Sequence, residues 1–163
     1  MQDNHVLSVL VENKSGVLSR VISLISRRGF NIESLSVGPT EDVTQSRITL
    51  VVTADKIAYD QIIKQLNKLV CVIKVNDLTT GGAIERELVL FKVASTPEQR
   101  GEIIQIADIF RANIVDVGNN TLTIEATGTE TKLQGMEDLL RAYGIKETTR
   151  TGVIAMARSA RDQ

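Results

Sequence analysis

The chain has no tryptophan, 3% aromatic residues, one cysteine and one histidine. Each scarcity removes a class of function. Single-strand nucleic-acid binding leans on rings that stack on bases, and too few rings are present for it. Charge does not compensate, because 19 basic and 20 acidic residues leave a formal net charge of −1. A near-neutral chain carries no electrostatic footprint for nucleic acid or for an anionic membrane. Cys71 has no cysteine to pair with and lies between Val70 and Val72, so it reads as a small buried hydrophobe in a reducing compartment. His5 has no Cys or carboxylate partner at metal-ligand spacing, which leaves catalysis and metal binding without support. No apolar run approaches the ~20 residues that cross a bilayer. Met1-Gln2-Asp3-Asn4-His5 lacks the basic-then-apolar order of a secretory signal, so a cytoplasmic location is expected. Phosphate-cradling glycine loops and zinc motifs are absent as well.

What is present is a soluble composition, 42% apolar and 24% charged, in 163 residues, enough for two small domains. Val6 to Val11 is nearly all apolar and β-rich, as an inner strand should be. Val17, Leu18, Val21, Ile22, Leu24 and Ile25 then recur at helical spacing, with Ser19, Arg20, Ser23, Ser26 and Arg27 on the other face. Ser15 is the expected N-cap of that helix and Gly29 its C′ residue. Residues 31–38 and 46–54 read as strands joined by a turn at Pro39-Thr40-Glu41-Asp42. Ile57, Ile62, Ile63, Leu66 and Leu69 mark a second helix, and Val70 to Val75 a further strand. The order β-α-β-β-α-β is the split βαβ unit called ferredoxin-like.

Thr79-Thr80-Gly81-Gly82 interrupts this pattern and is the expected linker. The boundaries are then a first domain over 1–78, a linker over 79–84 and a second domain over 85–163. The second half repeats the order. Leu88 to Ala94 is a strand, and Thr96-Pro97-Glu98-Gln99 is a capping box with Pro at the first helical position. Ile103, Ile104, Ile106, Ala107 and Phe110 form the apolar face of the helix that follows. Asn113–Val117 and Leu122–Ala126 flank a Gly118-Asn119-Asn120 hairpin turn. Leu133, Met136, Leu139, Leu140 and Tyr143 make a fourth helix, and the last strand is placed at Val153 to Ala157. Glu85-Arg86-Glu87 and the Arg158/Arg161 tail read as solvated charge. The expected fold class is α+β, two tandem ferredoxin-like domains.

The richest segment is Glu12-Asn13-Lys14-Ser15-Gly16-Val17, where a strand gives way to a helix through a polar turn. Free backbone N–H groups at a helix N-terminus bind a small carboxylate. Any β–α turn also favours Asn, Ser and Gly for backbone reasons alone. Asn31 adds weight to the ligand reading. It opens the next strand, and both asparagines are expected on the same edge of the unit, so that two amides and the helix N-terminus converge. Such a trio suits an α-amino acid, with N–H groups for the carboxylate and amide oxygens for the ammonium group.

The run Leu7-Ser8-Val9-Leu10-Val11-Glu12-Asn13-Lys14-Ser15-Gly16-Val17-Leu18-Ser19-Arg20-Val21, followed by Arg28-Gly29-Phe30-Asn31-Ile32-Glu33-Ser34-Leu35, resembles the ACT domain of the small regulatory subunits of acetolactate synthase (acetohydroxyacid synthase). Ser46-Arg47-Ile48-Thr49, Gln65-Leu66-Asn67-Lys68-Leu69-Val70 and Glu85-Arg86-Glu87-Leu88 extend the resemblance over essentially the whole chain. The resemblance implies a non-catalytic chain. Thiamine diphosphate, FAD and Mg²⁺ then belong to a separate large catalytic subunit. It implies activation of that partner, feedback inhibition by valine or another branched-chain amino acid, and a homodimer formed through the ACT domain. It carries Asn13, Gly16 and Asn31 over as effector contacts, with Ser15 and Ile32 beside them. An amino-acid-sensing ACT protein acting on a different partner is the alternative. An RNA-binding module of the same topology would need exposed aromatics on its central strands, where Ser, Thr, Leu and Val stand instead.

Overall fold

Strand β1 (Asp3–Glu12) shows how alternation builds the first unit. Leu7, Val9 and Val11 point into one core, whereas Val6 and Ser8 face the other side of the sheet. The computed structural model describes residues 1–160. After β1 come α1 (Val17–Ser26), β2 (Asn31–Pro39), β3 (Gln45–Ala54), α2 (Lys56–Asn67) and β4 (Val72–Asp77). The strands lie in the order β2-β3-β1-β4, every neighbour antiparallel. Val21 and Ile25 of α1 and Tyr59, Ile62 and Leu66 of α2 close one face over Leu7, Val9, Ile48, Leu50 and Val52.

The second unit runs β5 (Ile84–Ala94), α3 (Arg100–Ile109), β6 (Asn113–Val117), β7 (Thr121–Gly128), α4 (Glu130–Leu140), a single 3₁₀ turn (Arg141–Tyr143) and β8 (Ile145–Arg150). Its strand order, β6-β7-β5-β8, repeats that of the first. Ile103, Ala107, Leu133, Met136 and Leu140 pack on Val89, Phe91, Val93, Leu122 and Ile124. Two ferredoxin-like units in tandem are the architecture, as the residue pattern predicts. No helix among the described residues is long and apolar enough to cross a membrane.

Several local expectations change. Gly16, not Ser15, is the N-cap of α1, in the left-handed region at φ 83° and with no side-chain cap. The 96–99 box is half made: the Gln99 side chain accepts from the Thr96 N–H (3.3 Å), but α3 begins only at Arg100. In α2 the buried anchor is Tyr59, while Ile57 is 78% exposed. The fourth strand of the second sheet is Ile145–Arg150, a polar strand at the sheet's edge. The apolar strand expected at Val153 to Ala157 is present as the short β9 (Ile154–Met156), whose contacts group it with the first unit.

Among the described residues the chain thus divides into Met1–Ile84 with residues 153–160, and Glu85–Gly152. This is a grouping by contacts; by order of elements the expected second domain spans 85–163. Ala155 is buried with Val6 and Leu78 on the helix-free side of the first sheet, backed by Val51 and Ala83. Val153 donates its N–H to the Ser34 hydroxyl at 2.8 Å. Arg158 reaches the turn at Gly82, and Arg161 lies outside the described residues. The 79–84 stretch is itself anchored in the first unit. Tyr59 donates its hydroxyl to Asp77 at 2.8 Å, and the Thr79 N–H donates to the same carboxylate oxygen at 2.9 Å. The Thr79 hydroxyl accepts from the Val6 N–H at 3.0 Å.

Candidate functional site

The β1–α1 turn is held from behind. Asn13 donates its backbone N–H to the Thr44 carbonyl (2.8 Å) and its side-chain amide to the Val43 carbonyl (3.0 Å). The 41–44 loop that receives these bonds is shaped by Asp42, whose carboxylate accepts from both the hydroxyl (2.6 Å) and the N–H (2.9 Å) of Thr44. Those two bonds, the hydroxyl's first, hold the Asp42 carboxyl below the usual carboxylate range. Across the turn Lys14 pairs with Glu12 at 3.5 Å. The N–H groups of Ser15, Gly16, Leu18 and Ser19 donate to nothing among the described residues. Four free donors at the positive end of a helix, opening on empty space around Gly16, are a geometry that suits a small anion.

Asn31 lies elsewhere. It pairs with Thr53, which pairs with Asn4 near the start of β1, whereas Asn13 follows the end of β1 at Glu12. Both β1 and β2 run antiparallel to β3 and so parallel to each other. Within one chain the two asparagines are therefore separated by the length of β1 from Asn4 to Glu12, roughly 26 Å at about 3.3 Å per residue. The expected convergence on one edge does not occur in a single chain. Around Asn31 is a recess of about 440 Å³ lined by Gln2, Phe30, Asn31, Glu33, Thr53 and Asp55. The Asn31 amide donates to the Glu33 carboxylate, which also accepts from the Thr53 hydroxyl at 3.1 Å. This recess carries carboxylates, the chemistry for an ammonium group. Ile32 packs its side chain on the core and offers only backbone to a ligand. Ser15 is exposed at the tip of the turn.

Val43, Thr44, Glu33 and Asp55 were not singled out from sequence. A signal exists for the first two, because Asp42 followed by Thr44 is an Asx turn. The remaining singled-out residues have structural roles. His5 stacks on Tyr59 (ring centroids 3.9 Å apart), with its Nε2 3.0 Å from the Ala54 carbonyl. Cys71 is buried in the first core. Burial raises the Tyr59 phenol above its ordinary value. Partial burial also pushes the Asp77 carboxyl up, but the bonds from Thr79 and Tyr59 outweigh it and leave that group lowered.

Comparison with known proteins covers both units. Residues 7–74 match the family described as the AHAS small subunit-like ACT domain, and residues 86–159 match the small subunit of acetolactate synthase. The chain is 54% identical over 154 residues to the probable acetolactate synthase small subunit of Archaeoglobus fulgidus, covering 94% of this chain and 96% of that one. It is 50% identical over 157 residues to the acetolactate synthase small subunit of Mycolicibacterium smegmatis, covering 96% and 92%. The crystal structure of the acetolactate synthase small subunit from Thermotoga maritima superposes with a TM-score of 0.88 at 40% identity, over 97% of this chain and 99% of that one. The chain belongs to the acetolactate synthase small-subunit family.

Proposed function

We propose that this chain is a regulatory subunit that binds valine or another branched-chain amino acid and thereby restrains a separate catalytic chain that it otherwise activates. The catalytic chain holds the thiamine diphosphate, FAD and Mg²⁺; this chain contributes no reacting group. One observation carries the reading. Free N–H donors at a helix N-terminus and a recess carrying carboxylates, groups that suit the two ends of an amino acid, lie at opposite ends of one sheet whose edge strand β2 is unpaired on its outer side among the described residues.

Pairing two copies antiparallel through β2 about a two-fold axis turns that separation into convergence. The start of β2 in one copy then lies at the end of β2 in the other, the end of the sheet where the Asn13–Gly16 turn sits. Each of two equivalent sites takes its carboxylate donors from one chain and Asn31 of the partner subunit. The effector sits across the dimer interface, so its binding is coupled to the arrangement of the subunits. That arrangement is what the catalytic chain reads.

The test is calorimetric titration with valine, leucine and isoleucine of the parent, of Asn13→Ala, of Asn31→Ala, and of the two variants unfolded and refolded together. Each variant alone should bind weakly. A mixed dimer regains one intact site, so the mixture should recover binding at a fraction of the parent stoichiometry. Recovery of nothing, with each variant a folded dimer, would place the whole site within one chain. Co-purification tests the partner, which should be a larger chain that binds thiamine diphosphate.

A further inference from the structure

On the outer side of the helix layer, between α1 and α2, is an open groove of about 700 Å³ lined by Arg20, Arg27, Arg28, Ser23, Gln65 and Leu69, among others. No acidic side chain lines it. Among the described residues Arg20, Arg27 and Arg28 make no ion pair or side-chain hydrogen bond, whereas Lys14, Lys92, Arg141 and Arg150 each pair with a carboxylate. In a chain with as many acidic as basic residues, three exposed guanidinium groups gathered without a counter-charge call for an explanation.

Intrinsic helix electrostatics explains only part of the cluster. Arg27 and Arg28 follow the last turn of α1, where the helix dipole favours a cation. Arg20 is in the first turn, where the dipole opposes one, and that turn contains no acidic residue to offset it. Arg20 and Arg27 stand at i and i+7, on one face of α1 and about 10 Å apart along its axis. A single small anion does not bridge that distance. A polypeptide with two spaced carboxylates does, and Leu69 gives it an apolar floor.

We propose that the α1–α2 groove seats an acidic segment of the catalytic chain, with carboxylates spaced to meet Arg20 and Arg27. This rests on the regulatory reading above, and none of the groove's lining residues belongs to β2. Guanidinium groups form planar, bidentate bonds to carboxylates, so the seat fixes orientation as well as attraction.

The experiment compares the parent with Arg20→Glu/Arg27→Glu and with Arg20→Gln/Arg27→Gln, measuring association with the catalytic chain at low and at physiological salt. The parent should bind more weakly as salt rises. Charge reversal should weaken binding at low salt by at least about tenfold and flatten the salt dependence, with the glutamine variant between. Valine binding and the melting curve of the isolated variants should match the parent. Equal association and equal salt slope for parent and reversed variant would overturn the docking surface alone. Failure of the parent itself to associate would overturn the regulatory reading and the surface with it. Inorganic pyrophosphate is the control: if it saturates the parent while the reversed variant still joins the catalytic chain normally, the groove is a small-anion site and not a docking seat.

Discussion

Gly16 carries two demands at once. Its φ of 83° belongs to the left-handed region, and the space where a side chain would start is empty. Gly16→Asp therefore meets no clash but incurs about 1–2 kcal/mol of backbone strain, less than a bulkier residue would. It also sets a carboxylate among the free N–H donors of the turn, where it repels the effector's own. Valine inhibition should vanish while activation of the catalytic chain persists, and the melting temperature should fall by a few degrees. Gly16→Asn carries the same strain without the charge. Inhibition retained in the Asn variant and lost in the Asp variant assigns the effect to charge; inhibition intact in both would move the site off this turn. At this scale the sequence was a partial guide. Asn13, Gly16 and Asn31 are visible as turn chemistry, but Gly16 is hidden as the N-cap behind Ser15 because a left-handed cap leaves no side-chain signature. Asn13 and Asn31 lie apart because strand ends have a direction that residue types do not disclose. In a split βαβ unit the first two strands are parallel, so the end of one and the start of the next are far apart.

Asp77 offers a second residue-level prediction. Its folded pKa is lowered, so its contribution to stability is fully present above the ordinary carboxylate value, about 3.9, and is lost as pH falls through the lower folded value. Melting temperatures of the parent and of Asp77→Asn, compared at pH 6 and pH 3, should converge on acidification. A gap that widens toward pH 3 contradicts the sign. Tyr59→Phe removes one donor to this carboxylate and should cost about 0.5–1.5 kcal/mol, with the acid-linked part of the slope reduced.

Among the elements, the C-terminal stretch carries one strand more than its apolar pattern marks. Ile145–Arg150 carries little strand signal in the sequence, because an edge strand with few buried positions needs no alternation, only a partner, and β5 supplies one. Residues 153–157 are legible as a strand because they are apolar, and what Ala155 buries lies on the helix-free side of the first sheet. Burial was legible there and its location was not, since location depends on contacts far away along the chain. Ala155→Asp places an unpaired carboxylate against Val6 and Leu78 and should destabilise by about 1–3 kcal/mol. Ala155→Ser, nearly isosteric, should cost less. Equal melting temperatures for parent and Ala155→Asp would show that this segment does not pack in solution. Helices were the clearest elements, because Val17, Val21 and Ile25 repeat every fourth position and all three are buried.

For the whole molecule, the proposed coupling is reciprocal. If valine shifts the affinity of this chain for the catalytic chain, the catalytic chain shifts its affinity for valine by the same factor, typically 5- to 150-fold. Valine titrations of the isolated chain and of the assembled complex, set beside association measured with and without saturating valine, should return one number. Two different factors would break the thermodynamic cycle and point to a further state. The tandem repeat itself was legible as an order of elements, because each half spells the same succession of periodicities; the contacts of the last segment were not, because by contacts the chain crosses the boundary twice, at Ile84/Glu85 and again at Gly152/Val153.

That second crossing has a consequence for biosynthesis. Domains ordinarily fold in turn as they leave the ribosome, the N-terminal one first. Here the sheet that emerges first must wait, with Val6, Leu78 and the Ser34 hydroxyl uncovered, until the whole of Glu85–Gly152 has been translated and Ala155 follows it out. A ribosome stalled just after Gly152 holds a first unit complete in its helices and strands but open on its other face, so nascent chains of that length should be cut by protease faster than chains only slightly longer.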